Sequence, residues 1–510
     1  MTPRIPDARP DVGPPAPRQR AARLIRDLAA HPLTPFVLLG AAYAAVRIAA
    51  AWGLTPVILG DSDTYRPSTP PAPHPVLSFT GGAPRSWVVP AFYALLPSDQ
   101  ARVAAQAAIS IGAWLTLASV LAASMRSRVA AYVAFVAVAL LGTTPQVAGW
   151  DQAILSESLS LSLAVLSLAA WVRLATRPST VPAVLAVFTT TLWVISRPFQ
   201  FTLSLGLAAV CAAWALRREH RALKLAVTAA LVMVTGWSVL ISPRINDGYR
   251  SRDGYGVSYY QEAFGQNFYK RYLGDPVAEA WFREHGMPDW EGMSAPSPWT
   301  GTTLDDYGEW HVFFAELRER PDWLQWLDDD AQGAIVRYSL THPGQVLRDF
   351  LREAPLMLTT PWNNVYGPEV GVLPGPLDRL WFWGSTTSIL RTDAFAWAVL
   401  DAALGAAVIL SRRRPSWPLL TTGVIVIAAS CAFLFQVWLG SAYEIARHAV
   451  PMTQVLRVGL LIVAVALLDA MLSGSARDHQ PAPGQRERGR AKPAPVPSTG
   501  PEAGRVGSAP

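Results

Sequence analysis

Cysteine and lysine are nearly missing from this chain, with two of the first and three of the second in 510 residues. Cys211 and Cys431 both fall inside apolar runs, so neither a disulfide framework nor a cysteine metal site is available. Any large loop must hold together by packing alone. Charged residues are also scarce, at 16% against 51% hydrophobic, which excludes an ordinary soluble protein of this length. No phosphate-cradling glycine loop, dinucleotide fingerprint or internal repeat is present, so direct use of a nucleotide-bound substrate has no support. The formal charge of +6 comes in short clusters between apolar runs, not as a stripe with interleaved aromatics, and nucleic acid is not an expected partner. The N-terminal stretch is rich in Pro and Arg and lacks a short apolar core with a cleavage site, so the first hydrophobic run is expected to stay in the protein.

What remains is an all-α polytopic membrane protein. At roughly 20 apolar residues per span, about ten transmembrane helices are expected, near 33–52, 100–122, 129–147, 154–172, 181–196, 198–216, 225–241, 394–411, 418–439 and 449–472. Cap chemistry at Thr34-Pro35 and Ser98-Asp99 supports two of the starts. Ser196-Arg197-Pro198 is read as a break between two spans, although Pro can also kink one long helix. Arginines and lysines before the first span, at 126–128, 173–177, 217–224 and 412–414, occupy every second connection. The positive-inside rule then places both termini in the cytoplasm. Arg outnumbers Lys and Ala is abundant, a composition typical of GC-rich bacterial genomes.

The expected organisation is a disordered cytoplasmic tail over 1–32, an N-terminal transmembrane domain over 33–241 with its first external loop at 53–99, and an external domain over 242–393. C-terminal membrane helices follow over 394–472, then a Pro-, Gly- and Arg-rich tail over 473–510 with almost nothing to bury. The external domain is expected to be mixed and mainly helical: Tyr- and Gly-rich irregular stretches ("GYGVSYYQEAFGQNFY"), a Trp-rich acidic helix ("PDWLQWLDDDAQGAIVRYSL"), and a helix opening at Pro343. In that last helix Val346, Leu347, Phe350, Leu351 and Ala354 share one face, as in a helix lying along the outer membrane surface.

Several chemistry-bearing residues converge on the same side. Asp61 and Asp63 in "GDSDTY" follow the first span, where partial desolvation raises a carboxylate's proton affinity and suits it to act as a general base. The same segment also reads as a solvent-facing turn held by side-chain to backbone bonds. Tyr65 closes that stretch. Glu157 lies one turn into the fourth span with Asp151 just outside it, and an ionisable group within a span is by default a site candidate. The neighbouring Ser156, Ser158, Ser160 and Ser162 suit interhelical packing. Glu444, Arg447 and His448 in "GSAYEIARHAVP" fall at i, i+3 and i+4, and a guanidinium fork beside an imidazole suits a phosphate or diphosphate. Snorkelling to headgroups explains Arg447 alone, but not Glu444 beside it. Arg457 would lie about three turns deeper. Arg47, Arg85 and Arg197 are outer-side cations that run against the charge bias and call for partners.

"DSDTY" in the first external loop resembles the Asp-Ser-x-x-Tyr pattern of many bacterial members of the GT-C glycosyltransferase superfamily, membrane enzymes that use polyprenyl-phosphate-linked sugars. "LSESLSLSL", "THPGQVL" and "YEIARHAVP" are similar to features of that group, in the same order, over about 33–472. The resemblance implies that Asp61 is the catalytic carboxylate, with Asp63 as the other candidate, and that the reaction inverts the anomeric carbon. Arg447 and His448 would offset the charge developing on a polyprenyl-phosphate leaving group. Several families of the superfamily carry an Asp-Glu or Glu-Asp pair where this chain has Asp-Ser-Asp. The sequence requires no cofactor and leaves a divalent metal open. The expected partners are the lipid bilayer, a polyprenyl-phosphate-linked sugar donor and an external glycan, lipid or protein acceptor. Two alternatives are a glycan ligase or polymerase using a diphosphate-linked oligosaccharide, and a transporter or flippase of lipid-linked substrates. Transporters tend to show repeats and midplane charges, and neither is evident here.

Overall fold

The protein is described by a computed structural model covering residues 31–52, 55–59, 61–66, 85–197, 200–217, 219–250, 257–294, 304–359, 393–411, 414–440, 442 and 445–475. The expected terminal tails lie outside these residues except at 31–32 and 473–475, and the last three continue a helix where the C-terminal tail was expected to begin. Every named element among them is helical, and an isolated β-bridge pairs Val57 with Ala153.

In chain order the helices are α1 (Thr34–Ala51), the single turn α2 (Ser62–Tyr65), α3 (Val88–Ala94), α4 (Asp99–Ala122), α5 (Arg128–Gly142) and the short α6 (Pro145–Ala148). They continue with α7 (Glu157–Thr176), α8 (Thr180–Ser196), α9 (Phe201–Ala215) and α10 (Arg221–Arg250). The region after them holds α11 (Tyr259–Asn267), α12 (Pro276–Glu284), α13 (Leu304–Arg318), α14 (Pro321–Asp329), α15 (Ala331–Thr341) and α16 (Pro343–Thr359). α17 (Asp393–Leu410), α18 (Trp417–Gly440) and α19 (Ile445–Ser475) complete the chain.

Among the described residues, six helices are long and apolar enough to cross a membrane: α1, α4, α7, α18, Arg221–Pro243 of α10 and Arg447–Ser473 of α19. A seventh is added if α5 and the segment Gln146–Gln152, bent by 59° from it, form one span. The expected count of ten is not reached. The other three segments do form apolar helices, but Thr180–Ser196, Phe201–Ala215 and Val399–Leu410 fall short of the length criterion. Composition marked them correctly, whereas their length depends on where the backbone breaks, as it does between α8 and α9 around Arg197-Pro198. Ser98 caps α4 as expected, its hydroxyl accepting from Ala101 N at 3.2 Å.

α19 is the hub, with 83% of its apolar stretch buried against 17% for α1, and it packs on α5, α7, α16, α17 and α18. Its closest approach is to α18. A Cβ on Gly423 would sit 2.7 Å from Val463 Cγ2 and 3.1 Å from the Gly459 carbonyl, so only hydrogen fits there. Near the far end of α19, Asp469 accepts from the Arg126 and Ser127 backbone amides at 2.8 and 2.7 Å and pairs with Arg126 Nε at 2.8 Å.

Helices α11–α16 enclose an aromatic core in which Phe268 meets Phe282 edge-on at 4.8 Å and Trp326 at 4.7 Å. Two expectations are corrected here. The stretch read as irregular is helical: Ser258 and Gln261 form a reciprocal capping box that starts α11, which runs on into a π-helical turn at Phe268–Tyr272. The Trp-rich acidic helix is two helices, α14 and α15, parted at Asp330. α16 begins at Pro343 as expected, but its apolar face divides. Val346 is buried and Phe350 and Ala354 pack on the core, while Leu347 and Leu351 stay exposed. Its last turn lies against α19, where the Met357 carbonyl accepts from Thr453 Oγ1 at 3.0 Å and the Leu358 carbonyl from Arg457 Nη2 at 3.3 Å. Arg457 thus serves the C-terminal end of a helix.

The α11–α16 region is clamped to α18 by one buried group. Arg271, from the π-helical turn, pairs with Glu353 of α16 at 2.8 Å, donates to the Trp438 carbonyl and lies over the Trp438 ring, and the Trp438 indole donates to Glu353 at 2.7 Å. Gly423→Val is expected to lower stability by about 1–3 kcal/mol through overpacking at the α18–α19 contact. Thermal unfolding in detergent micelles checks this, with Gly440→Ala, where an added Cβ meets no atom within 4 Å, near neutral as the control.

Candidate active site

Two loops distant in sequence are brought to the same place by backbone pairing. Val57 N donates to the Gln152 carbonyl at 2.9 Å and Ile154 N to the Val57 carbonyl at 3.1 Å, docking the first loop onto the segment before α7. That segment is held in turn by α4: Gln106 Nε2 donates to the carbonyls of Asp151 and Ala153, each at 3.0 Å. Tyr93 Oη donates to the Leu155 carbonyl at 2.6 Å. The turn at 61–65 is set locally, with Leu59 N donating to Ser62 Oγ at 2.8 Å and Thr64 Oγ1 to the Asp61 carbonyl at 2.6 Å. The turn in "GDSDTY" is held by side-chain to backbone bonds as the second reading expected, but it does not face solvent throughout: Asp61 is turned inward, its side chain 18% exposed.

Asp61 is joined through each oxygen to a guanidinium, Oδ1 to Arg85 Nη2 at 2.8 Å and Oδ2 to Arg447 Nη2 at 2.8 Å. Arg447, 2% exposed, donates through Nε to Glu157 Oε1 at 2.7 Å. Glu157 Oε1 also meets Arg197 Nη2 at 3.5 Å. The result is an alternating row, Arg85–Asp61–Arg447–Glu157–Arg197, in which three guanidiniums face two carboxylates. Polar residues flank it: Arg85 Nε donates to Thr64 Oγ1 at 2.9 Å and stacks over the Tyr65 ring, Tyr65 Oη donates to Ser156 Oγ at 3.2 Å, and Ser156 reaches Glu157 Oε2 at 3.4 Å. His448 lies within electrostatic reach of Arg447, Arg197, Glu157 and Asp61.

Seven of the ten sequence-predicted site residues therefore meet: Asp61, Tyr65, Arg85, Glu157, Arg197, Arg447 and His448. Asp63 does not, because its side chain is 80% exposed and pairs with Arg66 at 3.2 Å, while Arg66 also binds Asp99. Asp151 is buried nearby in a separate knot, paired with Arg47 and accepting from Ser158 Oγ at 2.6 Å. Arg47 also donates to Ser110 at 3.0 Å and to the Gly142 carbonyl, so its partner is internal and it does not snorkel. Glu444 lies outside the described residues. Sequence reasoning passed over Thr64 and assigned Ser156 to helix packing; the pattern Ser-x-x-Tyr facing Ser-Glu was the available signal. Among the described residues, no group of three or more His, Cys, Asp or Glu could hold a metal ion.

No protein-family model, characterised protein or solved structure matches this chain.

A buried carboxylate whose only cation is another buried group is costly to neutralise. Asp151→Asn, which leaves Arg47 without its counter-charge, is expected to destabilise the protein by about 3–5 kcal/mol. Asp63→Asn, at an exposed pair, is expected to cost less than about 1 kcal/mol. Thermal unfolding of the two variants side by side checks the contrast.

Proposed function

We propose that the row of charges is the active site of a membrane glycosyltransferase that moves a sugar from a polyprenyl-phosphate donor to an acceptor outside the cytoplasm. One observation carries this reading: the Arg447 guanidinium is shared between a carboxylate at the exit of the first span and one within a membrane helix. With an excess of cation, the row suits an anionic group anchored in the bilayer. A donor phosphate would take over Arg447 and Arg197, with Arg85 and His448 close by. Asp61 would then exchange a guanidinium for the acceptor's hydroxyl. As the acceptor oxygen bonds to the anomeric carbon, the carbon–oxygen bond to phosphate breaks, the phosphate leaves with the electron pair, and the hydroxyl proton passes to Asp61. Asp61 is the base we assign, because Asp63 faces outward and is tied to Arg66.

The arginine clusters favour ten crossings of a bacterial inner membrane, both termini in the cytoplasm and the charged row outside, with the three shorter apolar helices completing the count. Asp61→Asn is expected to lower transfer from a labelled polyprenyl-phosphate sugar in membranes by about 100-fold or more while insertion persists. Unchanged transfer would remove Asp61 from the role. Arg447→Ala is expected to weaken donor use far more than Arg414→Ala, and equal effects would count against phosphate binding. Mass spectrometry of lipid-linked sugars and surface glycans in a strain lacking the protein identifies the sugar.

A further inference from the structure

An apolar cavity of about 720 Å³ runs between α7, α9, α18 and α19, away from the charged row. Its two ends differ. One is closed by Trp193, 6% exposed and one helical turn before Arg197, together with Met452 and Val455 of α19. The other is bounded by Trp214, Arg217 and Trp417; Arg217 is exposed and Trp417 is 67% exposed, so this end meets the membrane face. The lining on α9 extends from Leu203 to Trp214, which spans roughly 16 Å at 1.5 Å per residue, and Arg217 lies just past the end of that helix. The walls between are almost wholly aliphatic or aromatic. A slot of this length and lining holds no stable water and matches one extended hydrocarbon chain.

The open end is basic. Arg217 has no ion-pair partner among the described residues, and Arg221 and Lys224 follow within two turns. Lys224 Nζ donates to the Trp214 carbonyl at 3.2 Å and lies over the Trp214 ring, which fixes that indole at the cavity mouth. Tryptophans at a mouth and an unpaired guanidinium beside them are the groups that hold a lipid at the headgroup level.

We propose that this cavity binds one acyl chain of an anionic glycerophospholipid from the leaflet at the Arg217 face, with its phosphate on Arg217. The site is separate from the charged row and stands whether or not the chain transfers sugars. Its chain fills the space behind Met452 and Val455, one to two turns from Arg447 on the same helix, so occupancy supports the helix on which the row depends.

The test is native mass spectrometry of the full-length protein released from nanodiscs of phosphatidylglycerol or phosphatidylethanolamine. One phosphatidylglycerol is expected to be retained, with at least about tenfold preference over phosphatidylethanolamine (roughly 1.4 kcal/mol). Arg217→Glu is expected to abolish that preference, and Ala429→Trp, which sets an indole across the cavity, to abolish retention of either lipid. The proposal is overturned if no lipid is retained, if Arg217→Glu keeps the preference, or if Ala429→Trp leaves retention unchanged. It is also overturned if polyprenyl phosphate displaces the lipid from the wild-type protein, which would give the cavity to a carrier chain entering from the other end.

Discussion

The arrangement rests on one guanidinium kept almost out of contact with solvent. Arg447 is 2% exposed, and an ion buried to that degree is tolerated only when its charge is matched and its donors are used. Asp61 and Glu157 meet that requirement from opposite sides. Each comes from a different part of the chain, so the first loop, the start of α7 and the start of α19 must reach their final positions together. The Val57–Ala153 bridge and the Gln106 and Tyr93 side chains hold the first two in register. The tight α18–α19 contact at Gly423 helps set the third.

Much of this was legible in the sequence because membrane physics writes it in simple terms. Long apolar runs must be helices, since lipid offers no partner to backbone polar groups. Ionisable residues at their ends are few enough to be candidates by position. That logic found Asp61, Glu157, Arg447 and Arg197. It did not separate Asp151 from Glu157, because two acidic residues a short distance apart look alike until their cations are known, and the partner of Asp151 is Arg47, far away in sequence. It likewise left Asp61 and Asp63 equivalent. They alternate across one short turn, so one faces Arg447 and the other faces outward to Arg66.

Helices α11–α16 were less legible for a different reason. Their core is aromatic and their caps are local, as with Ser258 and Gln261, so a Tyr- and Gly-rich stretch that looks irregular by composition folds as a helix. The buried Glu353 was also missed: it lies on the same face of α16 as Val346, Phe350 and Met357, but a carboxylate in an apolar stripe reads as an interruption until its partners Arg271 and Trp438 are known.

The clamp between Arg271, Glu353 and Trp438 is also tied to the apolar cavity. Trp438 is near the end of α18, whose opposite end, Trp417, forms the mouth of the apolar cavity. α18 therefore runs from the clamp at one end to the cavity mouth at the other, with its glycine contact to α19 between them, so the two features share a single helix.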